Sequence, residues 1–488
     1  MIQNVVCKAL ISGAVIGSAL VVTARAQVKA PPLRSDTASQ TRTPQAQAIL
    51  DASTKELIRE MTLVQITELR PPKQGSDPSQ SDYTNFDEAK ANPYPNLPPL
   101  LVMKDGTHVT TPAQWEKRRA EIKAMFDEDI YGKYPAHIPS VTWKVVSVVE
   151  KPVDGVPAIV KHIVGHTDNS GDPAITVDIQ ADVVTPAATK GKKVPVIIGG
   201  GSLTARFSLN GPDPILHMPG SSKCIMLGPQ TESSSKQLLE HGWGFVAIDY
   251  SSIQADNGAG LTSGIIGLVN KGQPRAADDW GVLRAWAWSD SRVIDYLETD
   301  SDVNGKKIGM MGHSRGGKSA LVALVDDPRF AIGFISSSGA GGAELYRRNF
   351  GELPENVAGP NEFHWMAGNF LKYEAVGRTP NDMPMDSHEF VALVAPRPIF
   401  IGGGGLVMTP ACAIPGDAWV DAHGMFMAAA AASPAWKFYG KEGLQTTTFP
   451  PVETLLADGT IAFRQHPYGH TPGPNWSYFI TFADRYLK

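Results

Sequence analysis

Cysteine is nearly absent. The 488-residue chain has three, Cys7, Cys224 and Cys412, and no two stand at C-x-x-C spacing. That excludes a disulfide framework and a cysteine-built zinc or redox centre. Charge is also sparse, at 19% of residues, with 44 Lys+Arg against 49 Asp+Glu. A net charge of −5 leaves no basic footprint for nucleic acid. No apolar run reaches the ~20 residues of a membrane span. There is no internal repeat, and the composition excludes a disordered acidic chain, a coiled coil and a collagen-like fibre.

What is present begins with an export signal over residues 1–26. Lys8 precedes an apolar stretch from Ala9 to Val22, and Ala24-Arg25-Ala26 supplies small residues before a cleavage site at Gln27. The expected location is therefore secreted or periplasmic, with no membrane attachment after cleavage. Losing Lys8 and Arg25 takes the net charge from −5 to −7 and leaves Cys224 and Cys412 as the two thiols able to pair. Residues 27–78 are rich in Pro, Ser, Gln and Thr and read as a tail or linker, with one helical patch around Gln45 to Met61. Residues 79–488 read as one catalytic domain.

Within that domain the apolar period changes along the chain. Pro112 to Ile130 reads as a helix with Trp115, Ile122, Met125 and Phe126 on one stripe. From Val141 the period becomes two, a sign of antiparallel strands, and Ile175 to Val184 repeats it. Short, wholly apolar runs follow at Val194–Ile198, Gly244–Ile248, Ile308–Met311, Ala331–Ile335 and Pro398–Ile401. A strand covered on both faces has no polar side. Helical stretches at Ala276 to Glu298 and Ser319 to Val325 separate some of them, so the pattern predicts an α/β fold with a mostly parallel central sheet between two helical layers.

One of those runs leads into Gly312-His-Ser-Arg-Gly316, a G-x-S-x-G sequence ahead of a predicted helix. Strand, turn and helix in that order make the nucleophile elbow of α/β-hydrolases, which lifts Ser314 above the sheet. A serine nucleophile needs a base, and the base needs an orienting acid. His470 sits on Pro467–Pro474, before a last predicted helix Trp476 to Leu487, where this fold places its base; His466 is the competitor. His313 reads as packed or lining the pocket, and His364, His388 and His423 as surface or supporting residues. The acid belongs on a loop after a late strand. Asp417-Ala-Trp-Val-Asp421 is such a loop, and the residues alone leave Asp417 and Asp421 as alternatives. For the oxyanion, the N–H of Arg315 is one donor. Gly199-Gly200-Gly201-Ser202, after an early strand, offers a second.

Taken together these motifs resemble the glucuronoyl esterases, carbohydrate esterase family fifteen. The resemblance rests on Gly312-His-Ser-Arg-Gly-Gly-Lys318, Ser338-Gly-Ala-Gly-Gly342, Arg347-Arg-Asn-Phe-Gly-Glu352 and Ala395-Pro-Arg-Pro398. Asp278-Asp-Trp-Gly281, Ala285-Trp-Ala-Trp288 and Asn92-Pro-Tyr-Pro95 add to it. It runs from about Tyr83 to the C-terminus. It implies hydrolysis of esters between 4-O-methyl-glucuronic acid on xylan and lignin alcohols, without metal or cofactor. It further implies Ser314 as nucleophile, His470 as base and an Arg315 side chain that helps hold the oxyanion. Lys318 and Glu352 would contact sugar hydroxyls, and Trp419 would lie beside the uronate.

The chain departs from that pattern at one place. Many members carry the acid as a Glu just before the Ser-Gly-x-Gly-Gly stretch, where this chain has Ser337. Other members, chiefly bacterial, carry Asp-x-Trp-x-Asp on the later loop, so the resemblance selects Asp417. Thr409–Gly416, just before it, reads as an atypical insertion. The substrate is the expected partner, and a monomer the expected state. Two other readings compete: an acetyl or generic carboxylesterase on the same residues, and a carbohydrate-binding protein whose catalytic set has decayed at Ser337.

Overall fold

The computed structural model describes residues 28–29, 43–75, 77–200, 232–405 and 416–488, and the backbone of two short strands at 215–217 and 224–226. The candidate signal, the Gly201–Ser202 end of the glycine loop, Cys412 and most of the Thr409–Gly416 segment lie outside the described residues.

The strands are β1 (Val141–Val153), β2 (Val156–Thr167), β3 (Asp178–Pro186), β4 (Val194–Gly200), β5 (Ile215–His217), β6 (Cys224–Met226), β7 (Gly244–Asp249), β8 (Val303–His313), β9 (Ile332–Ser336), β10 (Ile399–Gly404), β11 (Leu455–Leu456) and β12 (Ile461–His466). Ten of them form one sheet in the order β1-β2-β3-β7-β4-β8-β9-β10-β12-β11, and β5 and β6 pair separately. From β7 to β12 every pairing is parallel. The β1–β2–β3 meander joins β7 antiparallel, and β11 joins β12 the same way.

Alternate residues of the central strands explain their apolar character. Ile197, Met311, Phe334 and Phe400 pack with Leu238, Leu239, Phe479 and Phe482 on one face. Val196, Ile198, Met310, Ile335 and Ile401 pack with Val282, Leu283, Leu321 and Met425 on the other. Helices Ser234–Glu240 and Trp476–Leu487 cover the first face, and Val282–Leu297, Arg315–Asp326 and Ala422–Ala432 the second. This three-layer arrangement is the α/β-hydrolase fold predicted above. The predicted helix from Ala276 begins only at Val282, because Asp279, Trp280 and Gly281 form a turn that binds the end of helix Pro112–Asp129 through Gly281 N–H to Tyr131 O, 2.9 Å.

The N-terminal segment differs from the expected linker. Residues Pro44–Leu63 form a 20-residue helix with Leu57 and Met61 buried in the main core. Its Glu60 is fully buried against Arg275, with Nε–Oε1 2.6 Å and Nη2–Oε2 3.1 Å. Farther on, Arg70 pairs with Glu374 and Glu355. A segment poor in apolar residues can dock this way because its buried polar groups have partners, Glu60 in an ion pair and Ser53 accepting Ala259 N–H at 3.1 Å. The folded body therefore includes 43–75.

Candidate active site

The C-terminal ends of the parallel strands carry the functional side chains. At the end of β8 the chain turns through Ser314, whose φ of 58° and ψ of −131° are unfavourable for any residue with a Cβ. The bend is fixed by Ser314 N–H donating to Ser336 O (3.0 Å) and by Gly317 N–H donating to Ser314 O (2.8 Å). A Cβ on Gly312 would collide with the Gly316 carbonyl, and one on Gly317 would crowd Ser336 O. The glycines of the motif thus leave room for the elbow. Ser314 is half-buried, at the N-terminus of helix Arg315–Asp326. There the first backbone N–H groups, that of Arg315 included, have no helical acceptor and favour an anion.

His470 comes from the loop after β12, and its ring meets His313, the neighbour of Ser314, at 4.4 Å between centroids. Its Nδ1 donates to Asp417 Oδ1 at 2.7 Å. That leaves Nε2 as the lone-pair nitrogen. Burial alone would lower the imidazole pKa, and the Asp417 carboxylate more than reverses this, raising it above 6.5. Asp417 is buried as well, yet His470, Ser337 and Gly404 hold its carboxyl below the ordinary range. Its Oδ2 accepts from the Ser337 hydroxyl (2.6 Å) and from Gly404 N–H (2.9 Å).

The alternatives occupy other roles. Asp421 caps helix Ala422–Ala432 through Gly424 N–H (3.0 Å) and pairs with Arg348, Nε–Oδ2 2.6 Å. His466 donates from Nε2 to Thr471 O and accepts Tyr468 N–H on Nδ1, so it fastens the loop that bears His470. Burial pushes its pKa down to about 4. His364 and His388 are buried, bonded to Asp256 and to Pro98 O, and His423 pairs with Glu88.

Of the expected oxyanion groups, Arg315 reaches over the surface, 59% exposed, and its Nε bonds Asp256 Oδ2 at 2.9 Å. Asp256 Oδ1 accepts from Trp365 Nε1 (2.6 Å) and His364 Nε2 (3.0 Å). Burial would raise the Asp256 pKa, but His364, Arg315 and Trp365 lower it overall. Neither Asp256 nor Trp365 stands out in the sequence, because their partners are 50 to 110 residues away. Gly200 ends β4, the strand paired with β8, where Gly199 is in register with Met311.

The expected sugar contacts are inside the protein to different degrees. Lys318, one helical turn beyond Ser314, is 2% exposed. All three of its N–H groups are engaged, with Ser338 O (2.7 Å), Ala340 O (2.6 Å) and Glu352 Oε2 (2.6 Å). Ala340 N–H also donates to Glu352 Oε2 (3.0 Å), while no bond to Oε1 is found among the described residues. Trp419 is half-buried between Asp417 and Asp421, and its carbonyl accepts Glu352 N–H at 2.6 Å. The Ser-Gly-Ala-Gly-Gly stretch therefore wraps the Lys318–Glu352 pair, and its Gly339, at φ +57°, stands where a Cβ would strike Glu352 Oε2.

A hydroxyl on a strained turn, an imidazole with a free Nε2 and a buried carboxylate on its other nitrogen are the parts needed for acyl transfer. Among the described residues, no group of three His, Cys, Asp or Glu side chains is placed to hold a metal ion.

Comparison with known proteins gives matches of one consistent kind. A family model described as "Glucuronyl esterase, fungi" matches residues 271–440. The carbohydrate esterase MZ0003, from an unknown prokaryotic organism, is 31% identical over 434 residues, covering 83% of this chain and 92% of the relative. A 4-O-methyl-glucuronoyl methylesterase 1 of Wolfiporia cocos is 27% identical, covering 62% of this chain and 64% of its own. Among solved structures, a CE15 glucuronoyl esterase from Teredinibacter turnerae T7901 superposes with a TM-score of 0.78. It has 39% identity over 89% of this chain and 99% of that one.

Proposed function

The chain belongs to carbohydrate esterase family 15, the glucuronoyl esterases, and from that premise we propose that it hydrolyses esters of 4-O-methyl-glucuronic acid through a Ser314–His470–Asp417 triad. The protein is a carboxylic ester hydrolase. The natural bonds would be those joining glucuronoxylan to lignin alcohols. The export signal read from residues 1–26 puts the enzyme outside the cytoplasm, where such polymers are.

One observation carries the residue assignment: the Asp417 carboxylate lies 2.7 Å from Nδ1 of His470, while Asp421 is committed to Arg348 and a helix N-terminus. His470 Nε2 takes the Ser314 proton as the hydroxyl attacks the uronoyl carbonyl. Asp417 fixes the tautomer and stabilises the imidazolium that forms. The tetrahedral oxyanion is held by the Arg315 N–H, by the Arg315 guanidinium and by an amide of the Gly200 loop. His470 then protonates the departing alcohol, and water repeats the cycle on the acyl-enzyme. Glu352 Oε1 accepts a sugar hydroxyl, Lys318 braces Glu352, and Trp419 lies against the uronate ring.

The test is hydrolysis of benzyl glucuronate against an aryl acetate, with Ser314→Ala as control. A uronate-specific site prefers the first strongly; equal rates would mean a general carboxylesterase. Asp417→Asn should lower kcat by up to ~10⁴. Near-full activity in that variant, with activity lost in Asp421→Asn instead, would overturn the acid assignment.

A further inference from the structure

The carboxylate of Asp417 is divided between two tasks. Oδ1 serves His470, and Oδ2 is held by Ser337 Oγ–H and Gly404 N–H. Ser337 itself is fully buried and sits at φ +46°, a conformation that glycine adopts more cheaply. It directly follows β9, and its own N–H donates to Gly402 O of β10 at 2.7 Å, so the strand ends fix where its hydroxyl points. A strained, buried, non-glycine residue whose side-chain donor meets a carboxylate at 2.6 Å marks a selected position.

We propose that Ser337 is a positioning residue for the ester hydrolysis: its hydroxyl clamps Oδ2 of Asp417 and so holds Oδ1 on the His470 ring. The proposal rests on the Asp417 reading above and deepens it. Ser337 touches no reacting atom. It acts by restricting the carboxylate to one rotamer and by sharing its charge. The groups facing His470 besides Asp417 are His313 and His466, with Lys318 and Glu352 farther out. None of them replaces the lost donor when Ser337 is changed.

The experiment measures kcat, KM and the pH dependence of kcat/KM on benzyl glucuronate for Ser337→Ala and Ser337→Gly, beside thermal midpoints and Asp417→Asn. Charge-assisted bonds are the stronger kind, and Gly404 still holds Oδ2, so kcat should fall roughly tenfold with KM unchanged. The carboxylate that loses a donor presents more charge to the imidazole, so the acid limb should move up by roughly half a pH unit. Ser337→Gly should show the same loss of kcat with a midpoint no lower than that of Ser337→Ala, since glycine relieves the positive φ. In an Asp417→Asn background, Ser337→Ala should add nothing. If Asp417→Asn is inactive while Ser337→Ala keeps parental kcat and an unmoved limb, the proposal is overturned and the triad reading stands. If Asp417→Asn is fully active, the triad reading fails and this proposal with it. A loss that only tracks the folded fraction in both Ser337 variants, with the limb unmoved, also overturns it.

Discussion

Replacing Lys318 with methionine tests whether that ammonium is spent inside the protein. Methionine has nearly the volume of lysine and no charge, so the substitution removes three hydrogen bonds without opening a large cavity. It leaves the Glu352 carboxylate, 5% exposed, beside a thioether, and takes one donor each from the Ser338 and Ala340 carbonyls. Breaking a buried ion pair from one side costs about 3–5 kcal/mol, because the surviving charge is stranded. At about 2.1 cal/mol/K per residue, a chain of 488 residues has an unfolding entropy of about 1 kcal/mol/K. The midpoint of thermal unfolding should therefore fall by about 3–5 °C, read by calorimetry or near-UV circular dichroism. Adding Glu352→Gln removes the stranded charge and should return about 1–2 kcal/mol, a coupling of the size seen between contacting residues. A Lys318→Met protein with the parental midpoint, whose only defect is a raised KM for the glucuronate ester, would refute the reasoning. The ammonium would then be held for substrate and not for Glu352.

Three further outcomes follow from the site. The rise of kcat/KM with pH should have its midpoint above the ordinary imidazole value of 6.5, because Asp417 outweighs burial at His470; in Asp417→Asn the main charge opposing burial is gone and the midpoint drops below 6.5. His466 has a folded pKa of about 4 against an ordinary 6.5, so between those values the unfolded chain binds the extra proton and stability falls as pH drops. That one group accounts for about 3 kcal/mol across the window, and urea unfolding of His466→Gln at pH 7, 5.5 and 4.5 should show a shallower decline than the parent. Asp256→Asn frees the Arg315 guanidinium, and since that side chain is well exposed, kcat should fall by only about two- to fivefold with little change in KM; an unchanged kcat would remove Arg315 orientation from the account.

The sheet was legible where burial is two-sided, because Val194–Ile198 or Ala331–Ile335 can be nothing but covered strands. β12 was not, since Ile461-Ala-Phe-Arg-Gln-His466 ends in three polar residues. Each of them bonds a group outside the strand: Arg464 to Asn475, Gln465 to Pro450 O, and His466 to Thr471 O. The docked helix Pro44–Leu63 was hidden for a related reason, as its Glu60 looks like a surface residue until Arg275 is beside it. At the site, motif and chain order pointed to Ser314 and His470, and resemblance to Asp417, which the structure places beside His470. The division of work between Asp417 and Asp421 was not readable, because four residues of spacing say nothing of which side chain faces the imidazole. Ser337 was visible as a departure, but its bond to Asp417 spans 80 residues. Local pattern carries no information at that range.

Between residues 43 and 129 several buried polar side chains find their partners much later in the chain. Glu60 bonds Arg275 across 215 residues, Asn85 bonds Asn349 across 264, and Arg118 bonds Glu389 across 271. During synthesis Glu60, Asn85 and Arg118 thus wait for these partners until most of the polypeptide exists. Loop closure over such spans is slow, and open chains of this size expose apolar surface while they wait. Refolding from denaturant should accordingly be slow and lose yield as concentration rises, with helix Pro44–Leu63 among the last elements to gain protection from hydrogen exchange.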